Sequence, residues 1–181
     1  MPQNLDLFPI GNCSVSALVD RDGRFVWGCM PRIDSDPVFS TLLGGLEPPF
    51  EGGKGLWDVV VDGAVKIEQA YLRNTPILRT LVTDADGASL EIIDFSPRFQ
   101  QFGRIYRPTA FIRLVRPVSG VCRATIRLRP TANWGARLAE HTNGSNHIRY
   151  LCSDMTLRLT TDCPVSHILE ERTFRVERTL A

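Results

Sequence analysis

Alternation with a period of two dominates this sequence and restricts it to antiparallel β architecture. From Val121 to Arg129, the residues Cys122, Ala124, Ile126 and Leu128 alternate with Arg123, Thr125, Arg127 and Arg129. Successive side chains on a strand point to opposite faces, so this run sets an apolar face against a core and a charged face toward water. Met155, Leu157 and Leu159 alternate in the same way with Thr156, Arg158 and Thr160. Further strand-like runs are Ser14–Val19, Arg24–Cys29, Asp58–Val61, Val65–Leu72, Ile77–Thr83, Ser89–Phe95, Thr109–Val115, His147–Cys152 and Thr173–Arg178.

Turn chemistry falls between these runs. Asp22-Gly23, Asp62-Gly63, Asp86-Gly87, Ser119-Gly120 and Asn143-Gly144 each place a residue that tolerates positive φ where a hairpin needs one. Helix is scarce. The best candidate is Pro37–Leu43, with Asp36 as cap, Pro37 in the first turn and Gly44-Gly45 as terminator. Leu46–Gly55, rich in glycine and proline, reads as a loop. Around ten short strands at such spacing make the expected fold all-β, a sandwich or a barrel, with at most one or two short helices. Residues 1–181 read as a single domain. The chain stops shortly after the strand-like run at Thr173–Arg178, which reads as a boundary within a longer protein.

Composition excludes several function classes. Charged residues make up 23% and the net charge is +1, so no nucleic acid or anionic membrane is called for as a partner. The cations are nearly all arginine, Lys54 and Lys66 being the only lysines, and are expected on solvated strand faces. The five cysteines are widely spaced and lack a C-x-x-C pair, which fits neither a disulfide framework nor a zinc site. With no signal peptide and no long apolar stretch, the expected location is the cytoplasm. No cofactor and no metal are expected.

Two stretches carry more unusual residues than a sandwich requires. In the first, a hairpin delivers Trp27 and then the loop Met30–Asp36, where Arg32, Asp34, Ser35 and Asp36 gather within a few residues. An aromatic ring beside a guanidinium and carboxylates suits a sugar, the ring covering its apolar face and the charged groups forking to hydroxyls. The same residues also suit a capped turn with Arg32 paired to Asp34 and Trp27 in the core. The second stretch, Ala70 to Phe99, ends in Asp94-Phe95-Ser96-Pro97-Arg98. Asp94 could be proposed as a general acid or base, but a strand-end Asp is ordinarily an acceptor for turn N–H groups. Of His141, His147 and His167 only the first two are close in sequence, and their spacing suits neither a helix face nor a strand face, so surface or core roles are expected rather than metal binding. Glu170 and Glu171, as neighbours on a strand, would point apart and could not form an acid/base pair.

The run from Ile10 to Gly45 resembles the opening of bacterial family 15 glycoside hydrolases, in their trehalase-like amino-terminal domain. The matching segments are Ile10-Gly11-Asn12, then Ser16-Ala17-Leu18-Val19-Asp20-Arg21-Asp22-Gly23, then Trp27, Cys29 and Met30-Pro31-Arg32-Ile33-Asp34-Ser35. Tyr71-Leu72, Asn74-Thr75, Ile92–Pro97, Leu128-Arg129-Pro130 and Trp134-Gly135 extend the likeness. Asn12 stands where the family usually has Asp, and Val26 where an Asp commonly precedes the Trp.

The resemblance implies two packed antiparallel sheets, a large sandwich or supersandwich, preceding an all-helical toroid. In the family the toroid carries a glutamate acid and a glutamate base for inverting hydrolysis of α-linked glucose. No residue of this chain matches those glutamate motifs, so no catalytic residue is assigned and the chain alone is expected to be inactive. The toroid is expected beyond residue 181, as the partner that this domain supports or caps. Trp27, Arg32, Asp34 and Ser35 are the candidate contacts to substrate or to that domain. Two readings from other classes stand beside this one: a stand-alone carbohydrate-binding sandwich, and a structural oligomerisation module.

Overall fold

A computed structural model describes residues 6–44 and 53–177. Most of the expected loop Leu46–Gly55 lies outside the described residues, as do Gly45 and Arg178. A seven-stranded sheet contains β1 (Phe8–Gly11), β2 (Ser16–Val19), β3 (Phe25–Cys29), β4 (Pro37–Phe39), β5 (Leu56–Val61), β12 (Cys122–Arg129) and β18 (Phe174–Val176). Its order is β1-β2-β3-β5-β12-β18, with β4 paired to β3. A four-stranded sheet contains β6 (Ala64–Tyr71), β7 (Leu78–Asp84), β8 (Ser89–Phe95) and β11 (Ile112–Ser119), in the order β11-β8-β7-β6. A third, three-stranded sheet runs through β15 (Glu140–Asn143), β16 (His147–Leu151) and β17 (Thr156–Thr160). Two small ribbons complete the strands: β9 (Phe99–Gln101) with β10 (Arg104–Tyr106), and β13 (Thr131–Ala132) with β14 (Arg137–Leu138).

Register explains how the first two sheets stack. Leu78, Thr80 and Val82 of β7 stand opposite Asp94, Ile92 and Leu90 of β8, so all six share one face. Leu90, Ile92 and Val82 of that face join Val59 and Val61 of β5 and Cys122 and Ala124 of β12 in one buried cluster. The two sheets therefore meet face to face, as in a sandwich. The alternation of Val121–Arg129 accordingly points Cys122, Ala124 and Leu128 inward, with Ile126 partly buried.

The opposite face of β12 departs from expectation. Arg127, expected in water, is buried in a bidentate pair with Asp58, its direct partner in register on β5. Arg129 forks Glu171 with two bonds of 2.6 Å, and Thr125 Oγ1 lies 3.0 Å from Thr173 Oγ1. The reason is a helix that the alternation gave no sign of: α1 (Val165–Leu169) and the residues after it cover this face. Val165 and Ile168 of α1 belong with Ile148 and Tyr150 of the three-stranded sheet to the second buried cluster, and half-buried Leu157 and Leu159 pack against it. Among the described residues most arginines do lie exposed, and the departures are those held in pairs such as Arg127, Arg129 and Arg24, the last with Asp20 and Asp22.

Two further expectations change. Pro37–Leu43 is not a helix: Pro37, Val38 and Phe39 pair with β3 as a strand, all buried, and only Thr41–Gly44 forms a 3₁₀ turn. Burial of the apolar trio overrides the capping signal at Asp36, whose carboxylate is used elsewhere. Asp62-Gly63 and Ser119-Gly120 are not hairpin turns either, because each carries the chain from one sheet to the other. Gly120 lies at φ 63°, and a Cβ there would fall 2.7 Å from the Cβ of Ala88. The corner can close only on glycine.

Asn12, buried at the end of β1, fastens the sandwich to the β9–β10 ribbon. Its Nδ2 donates to the carbonyls of Pro97 and Pro108, both at 2.8 Å, while Oδ1 accepts from the N–H groups of Ser14 and Val15. The first two bonds require an amide, which an aspartate in this position could not supply. Among the described residues no helix is long and apolar enough to cross a membrane.

Candidate functional site: a polar depression walled by three loops

The chain leaves β3 through a cis Met30–Pro31 bond into the loop Arg32–Asp36. Arg32 donates from Nε to Asp34 Oδ1 at 2.9 Å and from Nη2 to Asp34 Oδ2 at 2.6 Å. The fork is planar and solvent-facing, the two side chains being 75% and 62% exposed. The loop closes on itself through Ser35, whose N–H donates to Arg32 O at 3.1 Å and whose Oγ accepts from the Arg32 N–H at 3.3 Å.

The facing wall is the turn after β13. Asn133, Trp134 and Gly135 lie successively at φ 54°, 54° and 81°, a left-handed run that a β-strand cannot continue. A Cβ on Gly135 would fall 2.8 Å from Ser40 Oγ, so this position also needs glycine. Asp36 holds the three segments together. Its Oδ1 accepts the Trp134 N–H at 2.7 Å, and its Oδ2 accepts the Ser153 hydroxyl. Ser153 Oγ in turn accepts the Asn133 N–H at 2.8 Å. Between these walls lies an open depression of about 570 Å³, lined among others by Arg32, Asp34, Ser35, Trp134 and Asp154.

Three of the four contact candidates thus come together: Arg32, Asp34 and Ser35. Trp27 does not join them. It is partly exposed in the middle of the large sheet, opposite Leu18, and does not line the depression. The aromatic residue of the site is Trp134, 61% exposed, from a different part of the chain. Its signal in the sequence was an Asn-Trp-Gly turn outside any alternating run, in a place where burial gives no use for a large ring.

The other candidates resolve as structure. Asp94 stands at the penultimate position of β8 but accepts no turn N–H; it is fully buried and forks Arg113. Burial pushes its carboxyl above the usual value, against the pull of the Arg113 guanidinium and its hydrogen bonds. Glu171 pairs with Arg129 and Glu170 with Arg172, from the end of α1 rather than a strand. His167 stacks on Phe174 at 5.9 Å and His141 lies 6.1 Å from the Tyr150 ring. Among the described residues no three His, Cys, Asp or Glu side chains gather as a metal site. All five cysteines are free, and burial pushes the thiols of Cys29, Cys122, Cys152 and Cys163 up.

No solved structure matches the chain. The trehalase of Thermoplasma volcanium is 30% identical over 129 residues, which amounts to 70% of this chain but 19% of that trehalase. Residues 6–177 match the family described as trehalase-like, N-terminal, and the chain belongs to that family.

Proposed function

We propose that this chain is the non-catalytic amino-terminal sandwich of a family 15 glycoside hydrolase, of the glucoamylase- and trehalase-like kind, acting on α-linked glucosides. It supports or caps a helical catalytic domain that follows it in the parent protein, in the cytoplasm. The observation that carries this reading is how the carboxylates of the depression are used. Asp34 is spent on the Arg32 fork and Asp36 on two hydrogen bonds that fasten loops, which leaves Asp154 as a single uncommitted carboxylate where a glycosidase needs two. An inverting glycosidase needs one carboxyl free to give a proton and another free to activate water. Groups committed to holding loops build a rigid contact surface instead, and rigidity lowers the entropy lost when a partner or a sugar binds. The family match and the length of the trehalase relative support the placement of this surface in a larger hydrolase.

The test is to assay the parent protein and the isolated 181-residue chain against trehalose, maltose, isomaltose and maltodextrin. Glucose release by the parent and none by the chain is expected. Robust hydrolysis by the chain alone, abolished by Asp34→Asn, would overturn the reading.

A further inference from the structure

We propose that the depression between the Arg32–Asp36 loop and Trp134 is a binding subsite for one glucosyl ring, with Trp134 as its platform. The identity of the sugar rests on the glycoside-hydrolase reading above; the case for a saccharide rests on the geometry.

A pyranose presents an apolar face of C–H groups and a rim of hydroxyls. It therefore needs a flat aromatic surface and, roughly perpendicular to it, groups that both give and accept hydrogen bonds. Trp134 supplies the surface. A ring 61% exposed contributes little to the core, yet its backbone is held on both sides. Asp36 holds its N–H, Ser153 holds that of Asn133, and Gly135 is wedged against Ser40. The platform is thus set before a ligand arrives.

The rim carries the polar groups. In the Arg32–Asp34 fork Nε and Nη2 are occupied, which leaves Nη1 to donate outward. Asp154 also lines the depression, and its carboxylate has no hydrogen bond or ion pair within the described residues. It is the free acceptor of the set. The volume of about 570 Å³ falls within the range of about 300–1,000 Å³ typical of small-ligand sites.

Charge narrows the class further. One guanidinium stands against the three carboxylates Asp34, Asp36 and Asp154. An anionic ligand is disfavoured, so the ligand is a neutral saccharide rather than a sugar phosphate.

The experiment follows the indole N–H resonances of the chain during titration with trehalose, maltose and isomaltose, with glucose 6-phosphate as a charged control. A saturable shift of one indole is expected with at least one neutral disaccharide, at millimolar dissociation constants suited to an open site. Trp134→Ala should remove the shifting resonance and the binding seen by calorimetry, whereas Trp27→Phe should leave both. Asp154→Asn, at an exposed side chain without partners, should weaken binding several-fold while the chain stays folded. Absence of any saturable response, or a response that survives Trp134→Ala, overturns the subsite. If the chain fails to bind while the parent still hydrolyses α-glucosides, the subsite falls and the accessory-domain reading stands. If the chain binds but the parent hydrolyses none of them, the reverse holds.

Discussion

Asp94 on β8 and Arg113 on β11 stand directly opposite each other in register and close a two-bond fork inside the sandwich. Their side chains are 0% and 2% exposed. The guanidinium does more than neutralise the acid. Nη1 donates to the Trp57 carbonyl of β5 at 2.9 Å and Nη2 to the Gly23 carbonyl, in the turn between β2 and β3, at 2.6 Å. Its flat face lies 4.5 Å from the centre of the Phe25 ring and 5.0 Å from that of Trp57. One residue thus ties two sheets together by hydrogen bonds and by cation–π contact.

Removing Arg113 should therefore be far costlier than removing a surface arginine. Arg113→Met strands the Asp94 carboxylate in the core and two carbonyls without donors. A loss of about 3–5 kcal/mol is expected, read from urea unfolding. The double variant Asp94→Leu/Arg113→Met should lose less than Arg113→Met, because no charge is left unpaired. Equal losses for the single and double variants would refute the account.

The same pair marks where the sequence stops being legible. Alternation located most strands of the two stacked sheets because an edge between core and water imposes period two on side chains. Leu90, Ile92 and Asp94 obey that period, so Asp94 was in a core position by pattern. Its chemistry argued for a turn, and the partner that resolves the conflict lies on another strand. Short strands such as Pro37–Phe39 escaped because three residues cannot display a period. In the depression, Arg32, Asp34 and Ser35 were visible because they are neighbours in sequence. Trp134 stood out only as part of the family likeness and Asp154 not at all, since only the tertiary fold brings them to this depression.

Asn12 should prove structural despite its place in a segment shared with the family. Asn12→Ala removes the donors to Pro97 and Pro108 and the acceptor for two turn N–H groups. A loss of about 1–3 kcal/mol in thermal or urea unfolding is expected, without any change in sugar titration. Unchanged stability would mean that water replaces the amide.

Thiol chemistry should single out one residue. Cys13 is exposed, while Cys29 and Cys122 are buried and burial pushes their thiols up. In the folded chain a disulfide-exchange reagent should react fast with one equivalent, and with five after unfolding. Cys13→Ser should abolish the fast phase. A fast phase that persists would show that half-buried Cys152 or Cys163 reacts as readily as Cys13.

His147 should titrate below its ordinary value of 6.5, chiefly because it loses hydration and secondly because Arg158 and Arg149 face it from the same sheet. The folded state then resists protonation. Its contribution to stability is constant above 6.5 and declines as pH falls from there through the lower folded midpoint. The midpoint is read from imidazole proton resonances, and Arg158→Gln should raise it. A midpoint at or above 6.5 in the unsubstituted chain would contradict this.

Arg32 offers the sharpest contrast with Arg113, since both fork an aspartate and only the surroundings differ. The Arg32–Asp34 pair is 75% and 62% exposed, so water solvates each charge after its partner is removed. Arg32→Ala should then change the stability of the isolated chain by no more than about 0.5 kcal/mol. In the parent the same substitution should lower activity, and kinetics would separate the two ways this could happen. Loss of a sugar contact should lower kcat/KM for small substrates with Tm unchanged, whereas loss of docking should lower the Tm of the parent. Parent activity and stability both at the unsubstituted level would remove Arg32 from either role. Unfolding of the isolated chain by Arg32→Ala would mean that the fork holds the loop for the sandwich itself, and that the depression is a by-product of that loop.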